Sequence, residues 1–128
     1  TAKLLDEKRR RDFKVVVLPN LYGDILADGA SGLIGGLGVA PSACIGDHYA
    51  YFEPVHGTAP DIEGKGIINP TATLLALSMA LDYLGFSEAA GKLETAIEAA
   101  YVSGEALTPD QGGRAGTDDF CRAVIDAL

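Results

Sequence analysis

Tryptophan is absent from this 128-residue chain, and cysteine occurs only twice. No run of about 18 apolar residues occurs either, which excludes a conventional membrane-spanning helix. The opening TAKLLDEKRRRDF is charged throughout and lacks the apolar core of a secretory leader, so the expected location is cytoplasmic or an organelle matrix. Cys44 and Cys121 show no metal-ligand spacing and read as reduced structural thiols. Basic charge is scarce beyond the N-terminus. Residues 1–14 carry six Lys/Arg against three Asp/Glu, whereas the remainder carries four against fifteen. An acidic body repels phosphate backbones and the short KRRR run reads as solvated surface, so neither nucleic acid nor membrane is an expected partner. What remains is 48% hydrophobic and 22% charged, enough apolar matter for one globular core.

The pattern along the chain predicts an α/β protein. Residues 2–11 read as the end of a helix already under way. The β-branched run 13–18 (FKVVVL), halted by Pro19-Asn20, reads as a buried strand. A helix is predicted from about Gly23 to residue 33, then a flexible GLIGGLG, and a second strand over 49–55. A long loop, 56–69, precedes Asn69-Pro70, which reads as a helix start with Pro at the first helical position. Residues 71–84 are apolar nearly all round, as in a helix buried in a core or a subunit interface. Ser87 is a candidate cap for a further helix whose Leu93, Ala96, Ile97, Ala100 and Tyr101 form one face, ended by Gly104. Thr117-Asp118-Asp119 is the expected cap of a last helix bearing Phe120, Val124, Ile125 and Leu128.

Two places could hold chemistry. Asp24 and Asp28, four apart, lie on one helix face one turn apart if 23–33 is helical. Spacing alone leaves two readings: a pair of solvated carboxylates, or hard oxygen ligands for Mg²⁺ or Mn²⁺ completed by further groups. The loop EPVHGTAPDIEGKGIINP, residues 53–70, is either a connector or a ligand-binding loop. Its glycines permit close backbone approach, His56 and Thr58 offer polar contacts, and Asp61 could accept two hydrogen bonds from a ribose diol. A carboxylate in that role repels a 2′-phosphate and so favours NAD over NADP. No G-x-G-x-x-G occurs, which argues against a Rossmann domain, and no Ser or Cys nucleophile stands near His56, which argues against a hydrolase.

Three segments taken together carry a resemblance: NLYGDILADGASGLIGGLGVAPSACIG (20–46), FEPVHGTAPDIEGKGIINPTA (52–72) and LTPDQGGRAGTDDF (107–120). In order and spacing they resemble the C-terminal part of the β-decarboxylating dehydrogenases, the isocitrate, 3-isopropylmalate, homoisocitrate and tartrate dehydrogenases. The resemblance implies the isopropylmalate-dehydrogenase-like fold, here as a fragment with two or more strands, long loops and three or four helices. It places Asp24 and Asp28 on Mg²⁺ or Mn²⁺. It assigns Glu53, Val55, His56, Gly57, Thr58, Ala59, Asp61 and Asn69 to the adenosine half of the cofactor, with the Asn69 side chain or backbone meeting adenine. Relatives that use NADP commonly carry Lys-Tyr where this chain has Asp61-Ile62, which again points to NAD.

The implied reaction is NAD-dependent oxidation of a 2-hydroxy acid followed by loss of its β-carboxylate, in a homodimer or higher homo-oligomer. Members of the family are much longer than this chain, so residues 1–128 read as the C-terminal part of one domain. The catalytic lysine and tyrosine and the substrate-binding arginines belong elsewhere; no catalytic residue is assigned here, and the chain alone is not expected to turn over. Ala27 and Cys44 depart from the usual Ser and Asn, and Gln111 and Arg114 are also atypical, but no assigned ligand is lost. The loop HGTAPDIEGKGIINP favours an isopropylmalate-type over an isocitrate-type substrate. Two other readings are a regulatory subunit that binds nucleotide without reacting, and a structural domain that reuses the fold; intact Asp24, Asp28 and Asp61 argue against the first, and the Asp61 loop against the second.

Overall fold

The computed structural model describes residues 2–128, with the side chain of Ala2 left aside. Its elements in chain order are α1 (Ala2–Leu5), α2 (Asn20–Ser31), β1 (Pro41–Ile45), β2 (Ala50–Pro54), α3 (Thr71–Tyr83), α4 (Ser87–Ser103) and α5 (Thr117–Asp126), with single 3-10 turns between several of them. The α/β expectation holds, with five helices among the described residues rather than three or four, the first only four residues long. No helix among them is long and apolar enough to cross a membrane.

β1 and β2 form an antiparallel hairpin with Cys44 opposite Tyr51 and Ser42 opposite Glu53. Ala40 continues the ladder by accepting the Val55 N–H at 3.0 Å. β1 was not legible in the sequence because PSACI begins with Pro and has one β-branched residue. Residues 13–18, predicted as a buried strand, are instead unpaired and solvent-facing, with Val15 81% and Val17 88% exposed. A strand exists through a neighbour that takes up its backbone groups, and the two-stranded sheet offers this run none.

The core lies where α3, α4 and α5 meet. Leu93, Ala96, Ile97 and Ala100 of α4 pack on Phe120 and Val124 of α5, with Leu74, Leu75 and Leu81 of α3 against them. Small residues on α4 allow close approach, and the fully buried Phe120 fills the gap, meeting the Tyr101 ring edge-on at 5.1 Å. α3 is buried on one side only: Ala72, Ala76 and Ser78 are covered, while Leu77 and Tyr83 remain half exposed. Phe52 of β2 leans on Tyr83, which seats the hairpin against α3.

Helix ends follow local chemistry, with three corrections. Pro70 is the N-cap of α3 rather than its first helical residue. Ser87 is the first residue of α4 rather than its cap, and its hydroxyl donates to Asp82 at 2.6 Å. Gly116 is the N-cap of α5; Asp119 accepts the Gly116 N–H at 3.0 Å, and the Thr117 hydroxyl donates to the Ile68 carbonyl at 2.6 Å, tying α5 to the long loop. Gly104 ends α4 in the left-handed conformation, φ 69°.

The buried Asn69 amide joins three segments. Its Oδ1 accepts the Thr71 N–H at 3.0 Å, which starts α3, while Nδ2 donates to the Tyr101 hydroxyl at 3.1 Å and to Asp110 Oδ2 at 2.9 Å. Asp110 also accepts from the Thr108 hydroxyl at 2.6 Å and from Gln111 at 2.9 Å, and Gln111 donates onward to the Gly35 carbonyl at 3.1 Å. Burial pushes the Asp110 carboxyl up, but the bonds from Thr108, Asn69 and Gln111 together outweigh it, and the net shift is downward.

A depressed carboxyl stabilises the fold where it is ionised. That contribution is complete above the unfolded aspartate value, about 4, and fades as pH falls below it. Urea midpoints measured from pH 7 to pH 3 should therefore show Asp110→Asn less stable than wild type near neutrality, with the gap closing in acid. At Gly113 a Cβ would fall on the Leu107 carbonyl, a backbone group with nowhere to retreat. Gly113→Ala should cost about 2 kcal/mol in thermal or urea unfolding. Gly91→Ala, in an open position of α4 where a Cβ meets nothing, should instead add about 0.5–1 kcal/mol.

Candidate cofactor and metal site

The loop after β2 turns back on itself around a non-glycine residue in the left-handed region. Ala59 has φ 46°, the one such described residue, and it leads into a short 3-10 turn, Pro60–Ile62. Holding Ala there costs about 1 kcal/mol, which surrounding structure must offset. The far end of the loop is secured when the Gly66 carbonyl accepts the Thr117 N–H at 2.8 Å.

Inside this loop lies a cavity of about 340 Å³. His56, Gly57 and Ala59 form one wall, Ile62, Ile67 and Ile68 an apolar side, and Asn69 with Asp110 a polar end. Gly38 lines the cavity too; a Cβ there would stand 3.3 Å from both Asn69 Cβ and Asp110 Oδ2, a tight contact that would make these neighbours give by a few tenths of an ångström. The His56 ring donates through Nδ1–H to the Gly57 carbonyl at 2.9 Å, which leaves Nε2 as an acceptor in that tautomer. The dimensions suit a flat heterocycle with polar groups at one edge, gripped between aliphatic side chains.

Of the residues expected at the adenosine, His56, Gly57, Ala59 and Asn69 line this cavity. Thr58 and Ala59 border a second groove of about 450 Å³ on the other side of the loop, closed by Thr117 and Asp118. Asp61 is exposed at the loop's outer turn; Glu53 is exposed and Val55 half-buried on the approach from β2. The Asn69 side chain has all its donors and its acceptor engaged within the fold. Its backbone N–H and C=O take no hydrogen bond among the described residues.

Asp24 and Asp28 are both exposed and share one face of α2, a turn apart. No Lys or Arg neutralises them; the ion pair present among the described residues joins Lys92 to Glu88 on α4. Two uncompensated carboxylates one turn apart are a hard oxygen donor set that fits part of a Mg²⁺ or Mn²⁺ site. No group of three or more His, Cys, Asp or Glu side chains gathers among the described residues, so further ligands must come from substrate, water or other polypeptide. The Tyr51 phenol is held above its usual range by the cross-strand Cys44 thiol, through hydrogen bonding and then charge, with smaller effects from Glu53, desolvation and Asp24. The charge of Asp24 thus reaches the hairpin face that carries Tyr51 and Glu53. The two cysteines are free, and burial followed by the Asp118 charge pushes the Cys121 thiol up, away from reactive thiolate.

The sequence placed Tyr101 only on the packing face of α4 and Gln111 only as an atypical residue, and pointed to no role for Asp110, although Asp110 and Gln111 lie within the segment 107–120. The available signal was T-P-D at 108–110, a turn with a carboxylate at its end.

The model of the isocitrate/isopropylmalate dehydrogenase family matches residues 1–127. The chain is 57% identical over 120 residues to an isocitrate/homoisocitrate dehydrogenase of Thermus thermophilus, covering 94% of this chain and 36% of that protein. A 3-isopropylmalate/3-methylmalate dehydrogenase of Methanocaldococcus jannaschii is 56% identical over 112 residues, 88% of this chain and 33% of its own length. Among solved structures, an isocitrate dehydrogenase from Methylococcus capsulatus superposes with a TM-score of 0.91 at 42% identity, over 98% of this chain and 37% of that one. The chain thus spans about a third of the curated relatives it matches. With the family model matching nearly the whole chain and relatives more than 50% identical over most of it, the chain belongs to the isocitrate/isopropylmalate dehydrogenase family.

Proposed function

We propose that the protein containing this chain is an NAD-dependent, Mg²⁺- or Mn²⁺-dependent β-decarboxylating dehydrogenase acting on a 2-hydroxy acid of the 3-isopropylmalate or isocitrate type. This chain supplies adenosine-binding and metal-binding residues. The observation that carries the reading is the cavity inside the 56–69 loop, which combines the aliphatic Ile62, Ile67 and Ile68 with the polar Asn69 and Asp110. The Asn69 N–H and C=O have no backbone partner among the described residues, and pairing with the edge of adenine would supply one. Because the Asn69 side chain is already satisfied, its backbone is the route left to the base.

Asp61, exposed on the turn outside that cavity, is placed by this reading at the ribose, where its carboxylate accepts from both hydroxyls and repels a phosphate. Glu53, Val55, His56, Gly57, Thr58 and Ala59 flank the same ligand along the loop. Asp24 and Asp28 hold the divalent cation, which when bound lends Lewis-acid charge to the substrate's hydroxyl and adjacent carboxylate. Both carboxylates are exposed and free of basic partners, so no ion pair has to break for a cation to be held. The working enzyme is proposed to be a homodimer or higher homo-oligomer.

Asp61→Lys combined with Ile62→Tyr in the full-length protein should move preference from NAD toward NADP, read as the ratio of the two kcat/KM values; an unchanged ratio would remove Asp61 from the ribose. Asp24→Asn should weaken Mn²⁺ binding by about tenfold or more in a metal titration, since it deletes a charged ligand. Equal Mn²⁺ affinity in the variant would count against α2 as the metal helix.

A further inference from the structure

A third groove, of about 610 Å³, runs between α3, α4 and the glycine-rich segment before β1, and none of the residues assigned above lines it. Tyr101 and Thr71 are in its wall, and immediately behind them stand Asn69 and Asp110, which belong to the loop cavity. The two cavities therefore share one hydrogen-bonded partition. We propose that Tyr101 is a positioning residue for the cofactor cavity, its hydroxyl setting the orientation of Asn69 and, through Asn69, of Asp110.

The geometry is specific. The Tyr101 oxygen accepts from Asn69 Nδ2 at 3.1 Å and exchanges a hydrogen bond with Thr71 Oγ1 at 2.7 Å. Its ring is clamped edge-on against the fully buried Phe120, so the hydroxyl is delivered to a fixed point. Asn69 and Thr71 are 3% and 2% exposed, and water cannot readily replace a lost partner there. Without the phenol oxygen, one Asn69 amide proton has no acceptor, and the amide rests on Asp110 and the Thr71 N–H alone. Such an amide turns to find a new partner, and the backbone of residue 69 at the cavity's polar end turns with it. Phenylalanine at position 101 keeps the ring packing and deletes only this contact.

The proposal rests on reading the loop cavity as the adenosine site. It is tested in the full-length protein with AMP and nicotinamide mononucleotide as separate probes in calorimetry. Y101F should bind AMP about tenfold more weakly at a temperature where it is fully folded, with affinity for nicotinamide mononucleotide unchanged. A residue serving only the core would lower the melting temperature and leave AMP affinity per folded molecule alone, and that result overturns the proposal. If Y101F does not fold, T71V removes the second anchor of the phenol and lets it turn from Asn69; shifted Asn69 side-chain amide signals with weaker AMP binding are expected, and shifted signals with unchanged AMP binding overturn the proposal. The ¹⁵N side-chain amide signals of Asn69 separate this idea from the nucleotide reading. A wild-type protein that binds no AMP refutes the adenosine site, yet those signals should still shift in Y101F, and identical signals refute the positioning role.

Discussion

An amide buried to the extent of Asn69 is costly unless each of its donors and acceptors is met, by roughly 1–3 kcal/mol for each group left alone. Meeting them requires that the end of the long loop, the last turn of α4 and the turn at 108–111 all arrive at one point. No buried side-chain polar atom lacks a partner among the described residues, and the bonds around Asn69 are the densest part of that solution. The apolar core of α3, α4 and α5 brings these segments near one another without direction. The Asn69 bonds then give that arrangement direction, and Gly38 packs close against Asn69 and Asp110 beside the loop cavity.

The two halves of the proposed site differ in how they are built. The nucleotide half is a cleft along the loop, whose Asn69 end is held by hydrogen bonds from elements distant in sequence. The metal half is two exposed carboxylates on α2, a helix whose buried residue is Ser31 alone. Large apolar side chains on and before that helix stay open to solvent, Leu21, Ile25, Val15 and Val17 among them. Apolar surface of that extent ordinarily meets other protein. The chain accounts for about a third of the length of its relatives, and the incomplete ligand set around Asp24 and Asp28 accords with a site finished by groups outside it.

Hairpin, helices and loop differ in how far the residues alone reveal them. The faces of α4 and α5, the Pro70 entry to α3, the Gly104 stop and the position of β2 all follow from local pattern and backbone chemistry, and they lie close to where the pattern puts them. The family was legible as well, because three motifs in fixed order specify it more tightly than any single spacing. Residues 13–18 carried as strong a strand signal as any, yet they stand unpaired, since strand propensity is realised only beside another strand.

Sequence by itself determined where α2 to α5 run to within a few residues, and that Leu93, Ala96, Ile97 and Ala100 of α4 and Phe120 and Val124 of α5 face inward, because these depend on period, caps and turn chemistry within a few residues. Tertiary structure alone decided that the Asn69 side chain is locked by its bonds to Tyr101 and Asp110, that Asp110 is drawn below its usual range, and that Tyr101 stands in the wall of one groove while bonded to a residue that lines the loop cavity. Those facts rest on pairs 32 and 41 residues apart in the chain. Hydrogen-bond partners at such separations are chosen by packing, and no local pattern encodes them.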